Sequence, residues 1–221
     1  MTKPTRIALI HATRVAITPI EDAGKSLWPE AELVSILEEG LSLDRASNRV
    51  PLPEINARIV ELARYAERLQ PDGILYTCSA FGEGIMQAAR SSDLPVHRPN
   101  EAMFDAALEL GENIAMIYTF PPSLKGMEEE FKQAATEQNP NASIRSVYAE
   151  GAMEALRAGD ASTHNSLVAE AAKNIDDASA ILLAQFSMAQ AAPQIRTATH
   201  IPVLTSPEAA IQKMQACVLG K

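Results

Sequence analysis

The chain of 221 residues and 23.8 kDa is long enough to bury a sizeable core, as one large domain or two small lobes. Hydrophobic residues make up 47% against 21% charged, which excludes a disordered chain, and no apolar run reaches the roughly 18 to 20 residues of a membrane span. A net charge of -9 with no Lys/Arg cluster argues against phosphate-backbone binding, so neither nucleic acid nor membrane is an expected partner.

In chain order, short apolar runs alternate with longer amphipathic stretches. Residues 6–12 read as a buried strand, 19–28 as a crossover helix and 31–37 as a second strand. Residues 40–53, with two prolines, read as irregular. Residues 54–69 carry Ile55, Ile59, Leu62, Ala63 and Ala66 at the spacing of one helical face. A turn over 71–73 then leads into a strand over 74–77. Strand and helix in alternation imply a parallel sheet covered on both faces, the α/β class. The start of the chain shows no secretory pattern, and two cysteines, Cys78 and Cys217, make no disulfide framework and no zinc spacing. A cytoplasmic location is the expectation.

An internal repeat organises the whole sequence. Shifting the chain by 107 positions superimposes its landmarks without a gap: Arg6 to Ile10 falls on Asn113 to Ile117, Ile74-Leu75 on Ile181-Leu182, and Leu94-Pro95-Val96 on Ile201-Pro202-Val203. One constant offset at three separate strands points to two related halves. The expected architecture is therefore α/β, two pseudo-symmetric flavodoxin-like lobes with parallel sheets and an active site between them. The first lobe takes residues 1–98 plus 206–221, and the second takes 99–205. Ligands of open α/β sheets bind at the strand C-terminal ends, so chemistry is sought there.

Cys78 sits at such a strand end, in the run Thr77-Cys78-Ser79-Ala80-Phe81-Gly82-Glu83-Gly84. Small residues just past a strand suggest a tight turn opening on a helix N-terminus, whose amides would lower the thiol pKa and make a nucleophile or base. The bland alternative is a small buried hydrophobe. Cys217, in an apolar tail with nothing polar arranged around it, reads as structural.

The strand-end cysteine in Tyr76-Thr77-Cys78-Ser79-Ala80, the run Ile117-Tyr118-Thr119-Phe120-Pro121-Pro122-Ser123-Leu124 and the repeat itself resemble the aspartate/glutamate racemase superfamily. That group includes glutamate, aspartate and hydantoin racemases, maleate isomerase and arylmalonate decarboxylase. The resemblance implies a cofactor-independent enzyme acting on a small carboxylate-bearing substrate, and a homodimer or higher homo-oligomer. It also implies two cysteines, one at a strand end in each lobe, that exchange a proton with the carbon beside the carboxyl. The offset places Gln185 where the second cysteine belongs. An amide transfers no proton near neutral pH, so Gln185 suits substrate orientation, and a one-base isomerase, decarboxylase, lyase or hydrolase stands beside racemisation as an alternative. A non-catalytic anion-binding protein is the alternative of another class.

The resemblance further implies a carboxylate cradle of Ser79, Thr119 and Ser123, whose neutral donors at helix N-termini would hold an anion in an acidic protein. Ser187, two residues on from Gln185, is the nearest hydroxyl in the sequence and reads either as a substrate-binding residue or as an ordinary turn serine. His11, at the end of the first strand, reads either as a substrate-contacting acid/base or as a satisfied structural histidine. His97 lies at another strand end, His164 at a helix start whose cap reads from Asp160 to Thr163, and His200 in a surface loop. No metal spacing and no phosphate loop is found, so neither a metal nor a nucleotide cofactor is expected.

Overall fold

The computed structural model describes residues 4–220; Met1 to Lys3 and Lys221, at the outer limits of the expected first lobe, lie outside the described residues. In chain order the elements are β1 (Arg6–His11), α1 (Ile17–Leu27), β2 (Glu32–Leu37), α2 (Gly40–Ser47), α3 (Leu52–Glu67), β3 (Gly73–Tyr76), α4 (Gly82–Ser91), β4 (Val96–His97), α5 (Glu101–Leu110), β5 (Asn113–Tyr118), α6 (Pro121–Gln138), β6 (Ser143–Tyr148), α7 (Ala152–Arg157), α8 (Ala161–Ala172), β7 (Ala180–Leu183), α9 (Ala192–Ala198), β8 (Val203–Thr205) and α10 (Ser206–Leu219). Short 3-10 turns precede α1 (Arg14–Ala16), α4 (Ser79–Phe81) and α9 (Phe186–Ala191).

The strands form two all-parallel sheets of identical order, β2-β1-β3-β4 and β6-β5-β7-β8. The chain divides into two compact units: the first runs through Pro99 and resumes at Ala210, and the second is Asn100–Ala209. The two helices that follow the fourth strands change sides. All of α5, after β4, belongs to the second unit, and α10, after β8, enters the first at Ala210.

Within the first unit, alternation along β1 sends Ala8 and Ile10 to one face, where they pack with Ile74, Tyr76, Ile55, Ile59 and Ile85 from β3, α3 and α4. Ile7 and Leu9 are equally buried, which makes β1 apolar on both faces, as a covered parallel strand must be. Each such side chain taken out of water contributes about 2 kcal/mol. The Tyr76 hydroxyl donates to the Ile59 carbonyl at 2.6 Å and ties β3 to α3. Gly84 permits α4 to approach α3, since a Cβ there would lie 3.1 Å from the Asn56 Cα.

In the second unit, Ala115, Ile117, Ile181 and Leu183 face α8, α9 and the 3-10 turn before α9. Ile114, Met116, Ala180 and Leu182 face α5 and α6, where the Phe104 and Phe131 rings meet edge to face at 5.6 Å. Gly111 ends α5 at φ 153°, with the Ser179 side chain where a Cβ would go.

The repeat is visible in the ladders. Ile7 pairs with Gly73 and Ile114 with Ala180; Ile74 pairs with Val96 and Ile181 with Val203, each member shifted by 107. The gap-free correspondence is corrected at the second strand: Arg6 pairs with Glu32 but Asn113 with Ser143, a shift of 111. The longer α6 carries the second half ahead by four residues, and the shorter α7 and α8 return them before β7. Residues 40–53 are also corrected, because 40–47 form α2 with Leu41 wholly buried. Pro51 precedes α3 and Pro53 lies in its first turn, where a missing N–H breaks no helical hydrogen bond.

Candidate active site

Each sheet presents polar side chains past the C-terminal ends of its central strands. In the first unit Cys78 follows β3 directly, with extended backbone (φ -126°, ψ 120°), and caps the 3-10 turn that opens with half-buried Ser79. Its thiol is half-buried against the α3–α4 core. Burial pushes the thiol pKa up, against opposing hydrogen bonds from the Ala80 amide and the Ser42 hydroxyl. The expectation of a lowered pKa is thus corrected: the turn does supply an amide, but desolvation outweighs it. Ser42 lies on α2, the element that the sequence leaves irregular.

His11 ends β1 with no exposed surface. Its Nδ1 lies 2.8 Å from Thr77 Oγ1 and its Nε2 3.1 Å from Ser35 Oγ. Both ring nitrogens are therefore used inside the first unit, and burial holds the imidazole neutral, with a pKa lowered to about 4. His97 is half-buried on β4, and His200 is exposed.

The second unit brings Thr119, Ser123 and Gln185 together. Gln185 follows β7 in extended backbone (φ -108°, ψ 144°), as Cys78 follows β3. Thr119 directs two donors at one oxygen of Gln185: its backbone N–H at 2.8 Å and its hydroxyl at 3.2 Å, both to Oε1. The Gln185 amide nitrogen donates to Ser123 Oγ at 3.3 Å, and the Ser123 hydroxyl donates to the Phe120 carbonyl at 2.8 Å. Thr119 and Ser123 are buried, and Gln185 is half-buried.

The chemistry of the α6 N-terminus differs from the expected anion-binding helix end. Pro121 and Pro122 have no N–H, and the Ser123 N–H is donated to the Phe120 carbonyl at 3.1 Å. The donors that converge here come from Thr119, two residues before the helix begins. Ser187 is buried in the turn before α9, where its carbonyl accepts from Gln190 at 3.0 Å. His164 is buried in the first turn of α8, behind the Asp160 cap that accepts from the Thr163 N–H at 2.9 Å. Tyr118, the offset partner of His11, stacks on Tyr148 at 5.2 Å between ring centroids.

Sequence reasoning missed Ser35, Ser42 and Thr77. Thr77 stood in the quoted run beside Cys78, but its partner is set by the pairing of β1 with β3, which no local spacing encodes. Cys217 is exposed on α10. Among the described residues no three His, Cys, Asp or Glu side chains are grouped as a metal ion requires, and no helix is long and apolar enough to cross a membrane.

No family model and no curated protein matches the sequence. Solved structures match its fold. A glutamate racemase from Bacillus anthracis aligns with a TM-score of 0.76 at 12% identity, over 99% of this chain and 83% of that one. Allantoin racemase from Klebsiella pneumoniae gives 0.72 at 19% identity, over 98% and 89%. A double mutant of arylmalonate decarboxylase in its liganded form gives 0.67 at 15% identity, over 98% and 93%. All three are members of the aspartate/glutamate racemase superfamily. At these identities the likeness is one of fold: each unit is built on a four-stranded parallel sheet with flanking helices, and the chain has the α/β fold of these racemase and decarboxylase structures.

Proposed function

We propose that the protein is a cofactor-independent enzyme of this superfamily that acts on a small carboxylate, with Cys78 as its base. The observation that carries the proposal is the matched pair of strand ends. One holds a half-buried thiol on a turn, and the other holds an amide on two convergent donors. The resemblance read from the sequence assigns the proton exchange to Cys78 and the hold on a carboxylate oxygen to Thr119. Ser79 supports the anion from the turn beside Cys78.

In this reading the Cys78 thiolate takes the proton from the carbon next to the carboxyl. The electron pair remains on the substrate as an enediolate, stabilised by the donors on its oxygen. The proton then returns from the thiol to carbon. If the substrate instead loses carbon dioxide, the electron pair of the broken C–C bond stays on carbon and takes its proton from the thiol. Gln185 cannot supply a second proton near neutral pH, so a one-base reaction is favoured over inversion by two thiols.

One observation favours a non-catalytic anion-binding protein as the second reading: burial disfavours the thiolate that the chemistry needs. Alkylation with iodoacetamide, followed by peptide mass spectrometry, separates the two. Cys217 is exposed and serves as the internal reference. The enzyme reading expects Cys78 to be alkylated and to be protected by small dicarboxylates, while Cys217 is unaffected. A Cys78 that stays unmodified under conditions that consume Cys217 supports the binder.

A further inference from the structure

The arrangement around Gln185 has a direct consequence for ligand entry. An amide oxygen and a carboxylate oxygen are both acceptors with two lone pairs, and both seek convergent N–H and O–H donors. Thr119 supplies such a pair, at 2.8 and 3.2 Å, and both are already directed at Gln185 Oε1. The adjoining helix offers no replacement through Ser123, because two prolines lack the N–H and the Ser123 amide and hydroxyl hydrogens both go to the Phe120 carbonyl. The other end of the Gln185 amide is anchored as well, with Nε2 donating to Ser123 Oγ at 3.3 Å and lying 3.8 Å from Met127 Sδ.

We propose that Gln185 is an internal surrogate ligand: its side-chain carbonyl occupies the Thr119 donor pair in the free protein, and a carboxylate must displace it to bind. The inference rests on the reading of Thr119 as the carboxylate holder. The Gln185 side chain is half-buried rather than sealed in the core, so a rotamer change can carry the amide away without unfolding the turn. Apparent affinity is then lowered by the fraction of molecules in which Gln185 still holds the donors. The residue at the strand end opposite in the repeat to Cys78 thus acts as a threshold on anion binding.

The test uses the full chain and malonate, titrated calorimetrically at constant ionic strength. Removing the competitor in Gln185→Ala tightens malonate about tenfold, the worth of one to two net hydrogen bonds. Thr119→Val removes one donor and loosens malonate in both backgrounds. A second measurement needs no variant at position 185 to fold: the Gln185 side-chain amide hydrogens of the wild type, followed by 15N NMR, exchange slowly in the free protein and rapidly once malonate is bound. Binding by the wild type that is unchanged or weaker in Gln185→Ala, or a side-chain amide that stays protected in the complex, overturns the inference and leaves the anion site standing. Absence of malonate binding in every protein overturns the anion site itself, and the inference with it.

Discussion

His11 gives the most quantitative expectation. Its ring has no exposed surface, both nitrogens meet hydroxyls of Thr77 and Ser35, and burial lowers its pKa from the ordinary 6.5 to about 4. As pH falls through 6.5 the unfolded chain takes up a proton that the folded protein refuses until about pH 4. This contribution to stability is therefore complete above the unfolded pKa and is lost on acidification. A shift of that size corresponds to about 3 kcal/mol in all, of which about 2 kcal/mol is lost by about pH 5. The assay is urea unfolding of the wild type and His11→Gln at about pH 7.5 and about pH 5. Glutamine keeps a donor and an acceptor near the two hydroxyls but does not titrate, so the carboxylates and His164 cancel in the comparison. The stability difference between wild type and variant should shift by about 2 kcal/mol against the wild type on going to the lower pH. A difference that is the same at both pH values refutes the argument that desolvation, uncompensated by a neighbouring charge, controls this ring.

Two further predictions concern the Cys78 turn and the helix packing beside it. Because burial raises the thiol pKa, alkylation of Cys78 should keep accelerating with pH beyond the range in which a free small-molecule thiol of ordinary cysteine pKa levels off; Ser42→Ala, which removes one hydrogen bond to the sulfur, should move the Cys78 profile to still higher pH. A Cys78 profile that levels off with or before the free thiol contradicts a thiol pKa raised by desolvation. Gly84→Ala should lower stability by about 1 kcal/mol in chemical denaturation, because overpacking of about 1–3 kcal/mol against the α3 backbone at Asn56 outweighs the gain of about 1 kcal/mol in helix propensity. A stabilised variant would show that α3 and α4 separate freely.

The fold was legible in the sequence wherever burial leaves a periodic mark. β1 and β5 are apolar on both faces, and their pairing with β3 and β7 keeps one offset, so the repeat could be read from letters alone. The outer strands β2 and β6 drift by four residues, because α6 is longer than α1, and the shorter α7 and α8 restore the offset before β7. α2 escaped notice because two turns with one fully buried residue, Leu41, carry too little period to distinguish from a loop. The candidate site was legible as residue types at strand ends and illegible as interactions. That Thr119, Ser123 and Gln185 would meet follows from the offset and the strand order, whereas the commitment of Thr119's donors to Gln185 depends on a side-chain rotamer. The Cys78 pKa was misjudged for a related reason. The helpful amide is local in sequence, while the burial that overcomes it comes from α2, α3 and α4.

The central claim is that Cys78 is the single base acting beside a carboxyl group. Its most direct measurement is proton NMR of hydrogen–deuterium exchange at that carbon in deuterium oxide, over amino acids, hydantoins, maleate and substituted malonates, for the wild type and Cys78→Ala. The account predicts exchange or turnover without inversion in the wild type and its loss in Cys78→Ala. Full activity in Cys78→Ala, or exchange accompanied by inversion in the wild type, would contradict it.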